Sequence, residues 1–280
     1  MAVRNAIGVF DSGVGGLTVW QEIARQAPQE DILYLADQAH VPYGSRSLNE
    51  VQRFSEAITQ FLLDHGVKVI VVACNTASAA ALRQLRRQFS HVPFVGMEPA
   101  VKPAVERSNT GVVAVIATEA TFQGELFASL LERYANGVEV LTQVCPGLVG
   151  AVEAGALEAP ETKALLRRCL APLIGSKMDQ LVLGCTHYPF LRSAIEDVVG
   201  GRVSVVDPAS AVARQVCRVL RQRGIKANRG RPGRHVFLTS GDLDAFSTML
   251  SRLIPSFEGR GEVGEVRWRG GRLEGGSSGF

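Results

Sequence analysis

No two cysteines of this 280-residue chain are spaced C-x-x-C, and no H-E-x-x-H occurs. Those absences remove the thioredoxin-type dithiol and the common zinc spacings. Long apolar runs are missing too: residues 67–81 are broken by Lys68, Asn75 and Thr76, short of the ~18 apolar residues of a membrane span. Between Arg4 and Asp11 there is no room for the ~7–15-residue apolar core of a signal peptide. A cytoplasmic protein with no membrane partner is therefore expected. Five cysteines, at 74, 145, 169, 185 and 217, are an odd number without an export signal, which predicts free thiols and not a disulfide framework. A large charge excess is also lacking: the net charge is +3, which argues against a dedicated nucleic-acid binder.

What is present is a globular composition, 46% hydrophobic and 20% charged, at a length that suits about two domains of ~150 residues. Short β-branched runs at 6–10, 31–36, 67–73, 94–97, 112–117, 181–184, 203–207 and 235–239 predict strands. Amphipathic stretches at 18–26, 48–65, 78–89, 122–134, 161–174, 190–199, 209–223 and 243–253 predict helices between them. Strands apolar on both sides and separated by helices indicate α/β, with parallel sheets covered on both faces.

In such sheets ligands sit off the carboxyl ends of the strands. Here those positions carry Asp11-Ser12-Gly13-Val14-Gly15-Gly16, His40-Val41-Pro42-Tyr43-Gly44-Ser45, Cys74-Asn75-Thr76 and Cys185-Thr186-His187. The first is not a dinucleotide fingerprint, because Thr18 stands where G-x-G-x-x-G needs its last glycine, and no P-loop lysine follows. It remains either a plain tight turn or a turn whose N–H groups hold a carboxylate. Cys74 and Cys185 occur in matching contexts: apolar strand, small residue, cysteine, small polar residue, helix. A cysteine is most often a small core residue, and Cys145, Cys169 and Cys217 are read that way. The repeated context instead suits chemistry, and a helix N-terminus is expected to lower the thiol pKa. With no cofactor fingerprint and no metal spacing, an acid/base pair is favoured over a disulfide or a resolving pair. One thiolate takes a proton from a bound carbon and the other thiol returns one to the opposite face.

Cys74-Asn75-Thr76-Ala77-Ser78, Gly184-Cys185-Thr186-His187-Tyr188-Pro189, the turn from Asp11 to Gly16 and Pro42-Tyr43-Gly44 together resemble the motif set of the bacterial glutamate racemases. Val206-Asp207-Pro208-Ala209 and Thr239-Ser240-Gly241-Asp242 extend the resemblance over nearly the whole chain. It implies interconversion of L- and D-glutamate for peptidoglycan without a cofactor, by a protein that forms a homodimer. Cys74 would take the α-proton from D-glutamate and Cys185 from L-glutamate, with Asp11 and His187 assisting. Asp11, Ser12, Tyr43, Gly44, Asn75, Thr76, Thr186 and His187 match the substrate-binding positions, and Glu153 an acidic position linked to catalysis. Asp11 is the harder assignment, since a bare carboxylate raises a neighbouring thiol's pKa, so orienting the substrate ammonium is the alternative. Racemisation of aspartate, or amino-acid binding without catalysis, are the other readings of the chain.

The expected architecture is two pseudo-symmetric doubly wound domains facing a central cleft. One is discontinuous, 1–98 plus 209–280; the other, 99–208, is inserted, with crossings at Glu98-Pro99-Ala100 and Asp207-Pro208-Ala209. Residues 263–268 predict an edge strand, and about 270–280 a flexible Gly/Ser tail. Seven arginines and Lys226 fall between 214 and 234 without an acid; a solvated face is expected there, with no nucleic acid.

Overall fold

The structure, a computed structural model, describes residues 5–255 and 261–275. The first half alternates β1 (Ile7–Asp11), α1 (Leu17–Gln26), β2 (Ile32–Ala36), α2 (Leu48–Asp64), β3 (Val69–Val72), α3 (Asn75–Gln88) and β4 (Phe94–Gly96). The middle runs α4 (Val101–Arg107), β5 (Val112–Ala117), α5 (Glu119–Gln123), α6 (Glu125–Tyr134), β6 (Glu139–Val144), α7 (Leu148–Glu153), α8 (Pro160–Leu170), β7 (Gln180–Gly184), α9 (Arg192–Val199) and β8 (Ser204–Val206). The chain ends with α10 (Ala209–Gln222), β9 (His235–Thr239), α11 (Leu243–Leu253), β10 (Gly261–Arg269) and β11 (Arg272–Gly275).

The strands form two sheets. One has the order β11-β10-β9-β2-β1-β3-β4, the other β6-β5-β7-β8. Every pairing is parallel except β10 with β11. β1, β2, β3, β5 and β7 are buried at every position, which is why they read as apolar runs, broken only by Asp11 at the end of β1 and Gln180 at the start of β7. In the larger sheet the chain reverses its winding direction at β1 and β3, in the smaller at β5 and β7. Those switch points open crevices off the strand ends, and there lie Asp11, Cys74, Thr118 and Cys185.

Three apolar clusters cover the sheets. Phe10, Leu33, Ile70 and Val72 pack under α2 and α3, while Val113, Val115 and Val182 pack under α4 and α6. The third cluster is shared, running from Ile7, Val9 and Leu17 to Leu181, Leu183 and Tyr188, so the facing sides of the two sheets are welded through one apolar layer. Among the described residues no helix is long and apolar enough to cross a membrane.

Several expectations need correction. The helix expected at 122–134 is two, because Gly124 leaves the helix with φ −72° and ψ 139°, where α3 brings Ala79 against it. The helix after Cys74 begins at Asn75 and not at residue 78, with Cys74 as its N-cap. β6 went unread because its alternating polar residues lie on a largely exposed edge. The strand expected at 263–268 is not an edge: β11 pairs with β10 through Gly270 and Gly271, both at positive φ, so the flexible tail does not begin at 270. Residues 276–280 lie outside the described residues. Cys145 and Cys169, expected as free thiols, form a disulfide with Cα atoms 5.4 Å apart, since β6 delivers Cys145 beside α8. Cys74, Cys185 and Cys217 are free.

Candidate active site

β1 ends on Asp11, fully buried, and the chain turns at once into α1 through Ser12 to Gly16. The Gly16 N–H donates to Asp11 Oδ2 at 2.8 Å, which closes the turn. The Val14 N–H donates at 2.8 Å to Oε1 of Glu153, from the end of α7. So the glycine-rich turn does hold carboxylates, and both belong to the protein itself. A side chain on Gly13 would run into the Glu153 carboxylate, and one on Gly15 into the His187 ring. These glycines permit close approach between the two sheets' loops.

Cys74 caps α3, its Sγ accepting from the Ala77 N–H at 3.4 Å. That contact favours the thiolate, yet it loses. Burial pushes the Cys74 thiol well up and the Asp11 charge adds to it, so the lowering expected from a helix N-terminus does not hold. Burial likewise raises Asp11, partly offset by His187 and by the Gly16 N–H.

Cys185 follows β7. Its Sγ lies 3.8 Å from His187 Nδ1, and His187 Nε2 lies 2.6 Å from Glu153 Oε1. Burial opposes a charged imidazole, but Cys185 and Glu153 on its two sides overcome it, and His187 is held well above the usual histidine range. Burial also works against the Glu153 charge; contacts from His187, Gln38 and the Val14 N–H outweigh it and lower the carboxyl. Gln38 donates to Glu153 Oε2 at 2.8 Å and accepts from Thr239 Oγ1 at 2.8 Å. His187 is thus fixed as a donor toward Glu153, presenting its other nitrogen to the Cys185 sulfur.

Ser12, Tyr43, Gly44, Cys74, Asn75, Thr76, Cys185, Thr186 and His187, together with Thr118 and Val149, line one narrow crevice. Asp11 lies beneath it, with Thr186 Oγ1 donating to its Oδ1 at 3.5 Å. Tyr43, after the cis Val41–Pro42 peptide, is held by a 2.6 Å bond from its hydroxyl to Asp37 Oδ2. Thr76 Oγ1 and Thr118 Oγ1 are 2.9 Å apart, tying α3 of one sheet to the β5 end of the other. Asn75 is buried, and among the described residues neither its amide nitrogen nor its oxygen has a partner. A buried amide costs free energy unless something bonds it, so its donor and acceptor are left for an occupant of the crevice.

The Asp/Glu/Hydantoin racemase family profile matches residues 7–216. The chain belongs to that family. It is 47% identical over 268 residues to a glutamate racemase of Pseudomonas aeruginosa (strain PAO1), covering 95% of this chain and 99% of that protein. With the glutamate racemase of Roseiflexus sp. (strain RS-1) the identity is 48% over 248 residues, 88% of this chain and 91% of that one. Among solved structures, the glutamate racemase isoform RacE1 of Bacillus anthracis superposes with a TM-score of 0.86 at 34% identity, covering 96% of this chain and 98% of that one. The Escherichia coli glutamate racemase, solved with L-glutamate and the activator UDP-MurNAc-Ala, gives 0.82 at 29% identity, covering 97% and 100%.

Sequence reading of this racemase-family chain passed over Asp37, Gln38, Thr118 and Val149. Asp37 and Thr118 stand immediately after β2 and β5, so the strand-end rule that found the cysteines also points to them. Nothing local marks Gln38, whose part depends on Glu153 arriving 115 residues later. Within the basic segment, Arg229 and Arg231 pair with Asp31, and Arg214, Arg218, Arg221, Arg223, Lys226 and Arg231 are exposed.

Proposed function

We propose that the protein interconverts L- and D-glutamate by two-base proton transfer at Cα, supplying D-glutamate for peptidoglycan from the cytoplasm. The observation that carries this reading is a pair of cysteines, each at a strand end of a different sheet, on one crevice whose other lining is mostly hydroxyl, amide and imidazole groups. Substrate carboxylates would take N–H and O–H donors from Asn75, Thr76, Thr186, Ser12 and the Tyr43-Gly44 backbone. The substrate ammonium would sit near Asp11. Its positive charge offsets the Asp11 charge, which adds to burial in holding the Cys74 thiol up, so binding itself moves Cys74 toward the thiolate.

From D-glutamate, the Cys74 thiolate takes the α-hydrogen as a proton, leaving its electron pair on Cα. The Cys185 thiol then delivers a proton to the opposite face, and the product is L-glutamate with the two thiol states exchanged. The reverse reaction starts with the Cys185 thiolate, and His187, held by Glu153, presents its Nδ1 to that sulfur. The sheets supply one base each. This supports dividing the chain into 1–98 plus 209–280 and 99–208; the homodimer rests on the family resemblance alone.

Cys74→Ala and Cys185→Ala are each expected to lose at least about 10³-fold in turnover of both enantiomers, in the range of a lost acid/base group, while melting as the parent does. Full activity in either variant overturns the assignment. Aspartate tested beside glutamate decides between the acidic substrates: turnover of aspartate alone contradicts the glutamate reading.

A further inference from the structure

The C-terminal hairpin of β10 and β11 lies beyond residues 7–216, where the family match ends, yet one of its side chains reaches back to the crevice wall. Trp268 Nε1 donates to Asp37 Oδ1 at 2.7 Å. Asp37 is fully buried, and its carboxylate gathers three more contacts: Ser240 Oγ at 2.7 Å on the same oxygen, and Tyr43 Oη at 2.6 Å and His40 Nδ1 at 2.9 Å on the other. Tyr43 in turn forms the crevice wall with Gly44.

We propose that Trp268 is a positioning residue for the active site, acting through Asp37 on Tyr43 and so on the wall that receives the substrate. This rests on the racemase reading above. A carboxylate can turn about its own bond, and each donor fixes one lone-pair direction. The indole offers a donor and no acceptor, so it locks Oδ1 without competing for a proton. Its ring is held in turn at 4.8 Å from His40 and 5.8 Å from Phe54. With the N–H gone, the Asp37 carboxylate keeps one donor on Oδ1 and can rotate, and the Tyr43 hydroxyl follows it. The consequence belongs to binding and not to the cysteines, because Trp268 touches neither thiol.

The test is Trp268→Phe, which keeps a ring and removes the N–H. For glutamate of either hand KM is expected to rise about three- to ten-fold with kcat within two-fold of the parent, a signature of lost ground-state binding. In a Tyr43→Phe background the same substitution adds less than about two-fold, since the two act in one chain. An unchanged KM, or a KM rise that multiplies in full on Tyr43→Phe, overturns the proposal. Should Trp268→Phe give no cooperative melt, Ser240→Ala decides: it removes the other donor to Asp37 Oδ1 without touching the hairpin. The same KM rise supports the proposal, and a parental KM overturns it. A parent chain without racemase activity contradicts both this and the functional reading, whereas an active parent with a parental KM in the variants sinks this inference alone.

Discussion

Cys185, His187 and Glu153 form a line in which the two outer members hold the proton of the middle one. The imidazole is fully enclosed, and without its neighbours burial would strip its proton. Glu153→Gln removes the charge that opposes burial, so the His187 pKa is expected to fall, visible as a shift in the ring-proton titration. The stability sign follows from the two directions. Glu153 is lowered from 4.5, so its contribution is complete above that value and lost as pH falls through the folded value. His187 is raised from 6.5, so its contribution is complete below that value and lost as pH rises through the folded one. The melting gap between parent and Glu153→Gln is therefore expected to be widest between pH 4.5 and 6.5 and to narrow on both sides. A gap independent of pH across thermal melts contradicts the pairing. At this scale the sequence made the two thiols legible, because each repeats the pattern of strand, small residue and cysteine. Their electrostatics were not legible: the helix N-terminus at Cys74 is real, but the burial and the Asp11 charge that outweigh it exist only in the folded crevice.

Turns and caps carry the site between those residues. The turn at Gly13 to Gly16 packs against Glu153 and His187 from the other sheet, which leaves no space for a methyl group. Gly15→Ala is expected to displace the imidazole and cost about 100-fold in kcat/KM, the scale of a 1 Å misplacement, with far less effect on the melting midpoint; parental kinetics contradict that packing. α2 starts just after the Tyr43 turn with a capping box: the Glu50 N–H donates to Ser47 Oγ while the Ser47 N–H donates to the Glu50 carboxylate. Ser47→Ala is expected to lower the melting midpoint by about 2 °C by calorimetry. The buried strands were readable because β1, β3, β5 and β7 are apolar on both faces. β6 and β11 were not, since an edge strand needs no continuous apolar run, and the short helices α4 and α7 have too few turns to show a period.

Taken whole, the molecule is two parallel sheets sharing an apolar layer, with strand ends from both meeting at one crevice. Pairing Cys145 with Cys169 across 24 residues depends on where β6 and α8 come to rest, which no spacing rule discloses. Intact mass after alkylation in denaturant is expected to count three thiols before reduction and five after it; five before reduction contradicts the pairing. The near-neutral charge also gains a location. Part of the basic segment pairs with Asp31, while Arg214, Arg218, Arg221, Arg223 and Lys226 are exposed on α10 and the loop beyond it. The central claim is two bases on opposite faces of Cα. Its most direct test is the hydrogen isotope at Cα when L-glutamate is turned over in deuterium oxide with no cofactor added. At early conversion the D-glutamate formed should carry deuterium at Cα while the remaining L-glutamate keeps protium, because different thiols give and take. Deuterium entering both enantiomers equally from the outset, or entering neither, would contradict the account.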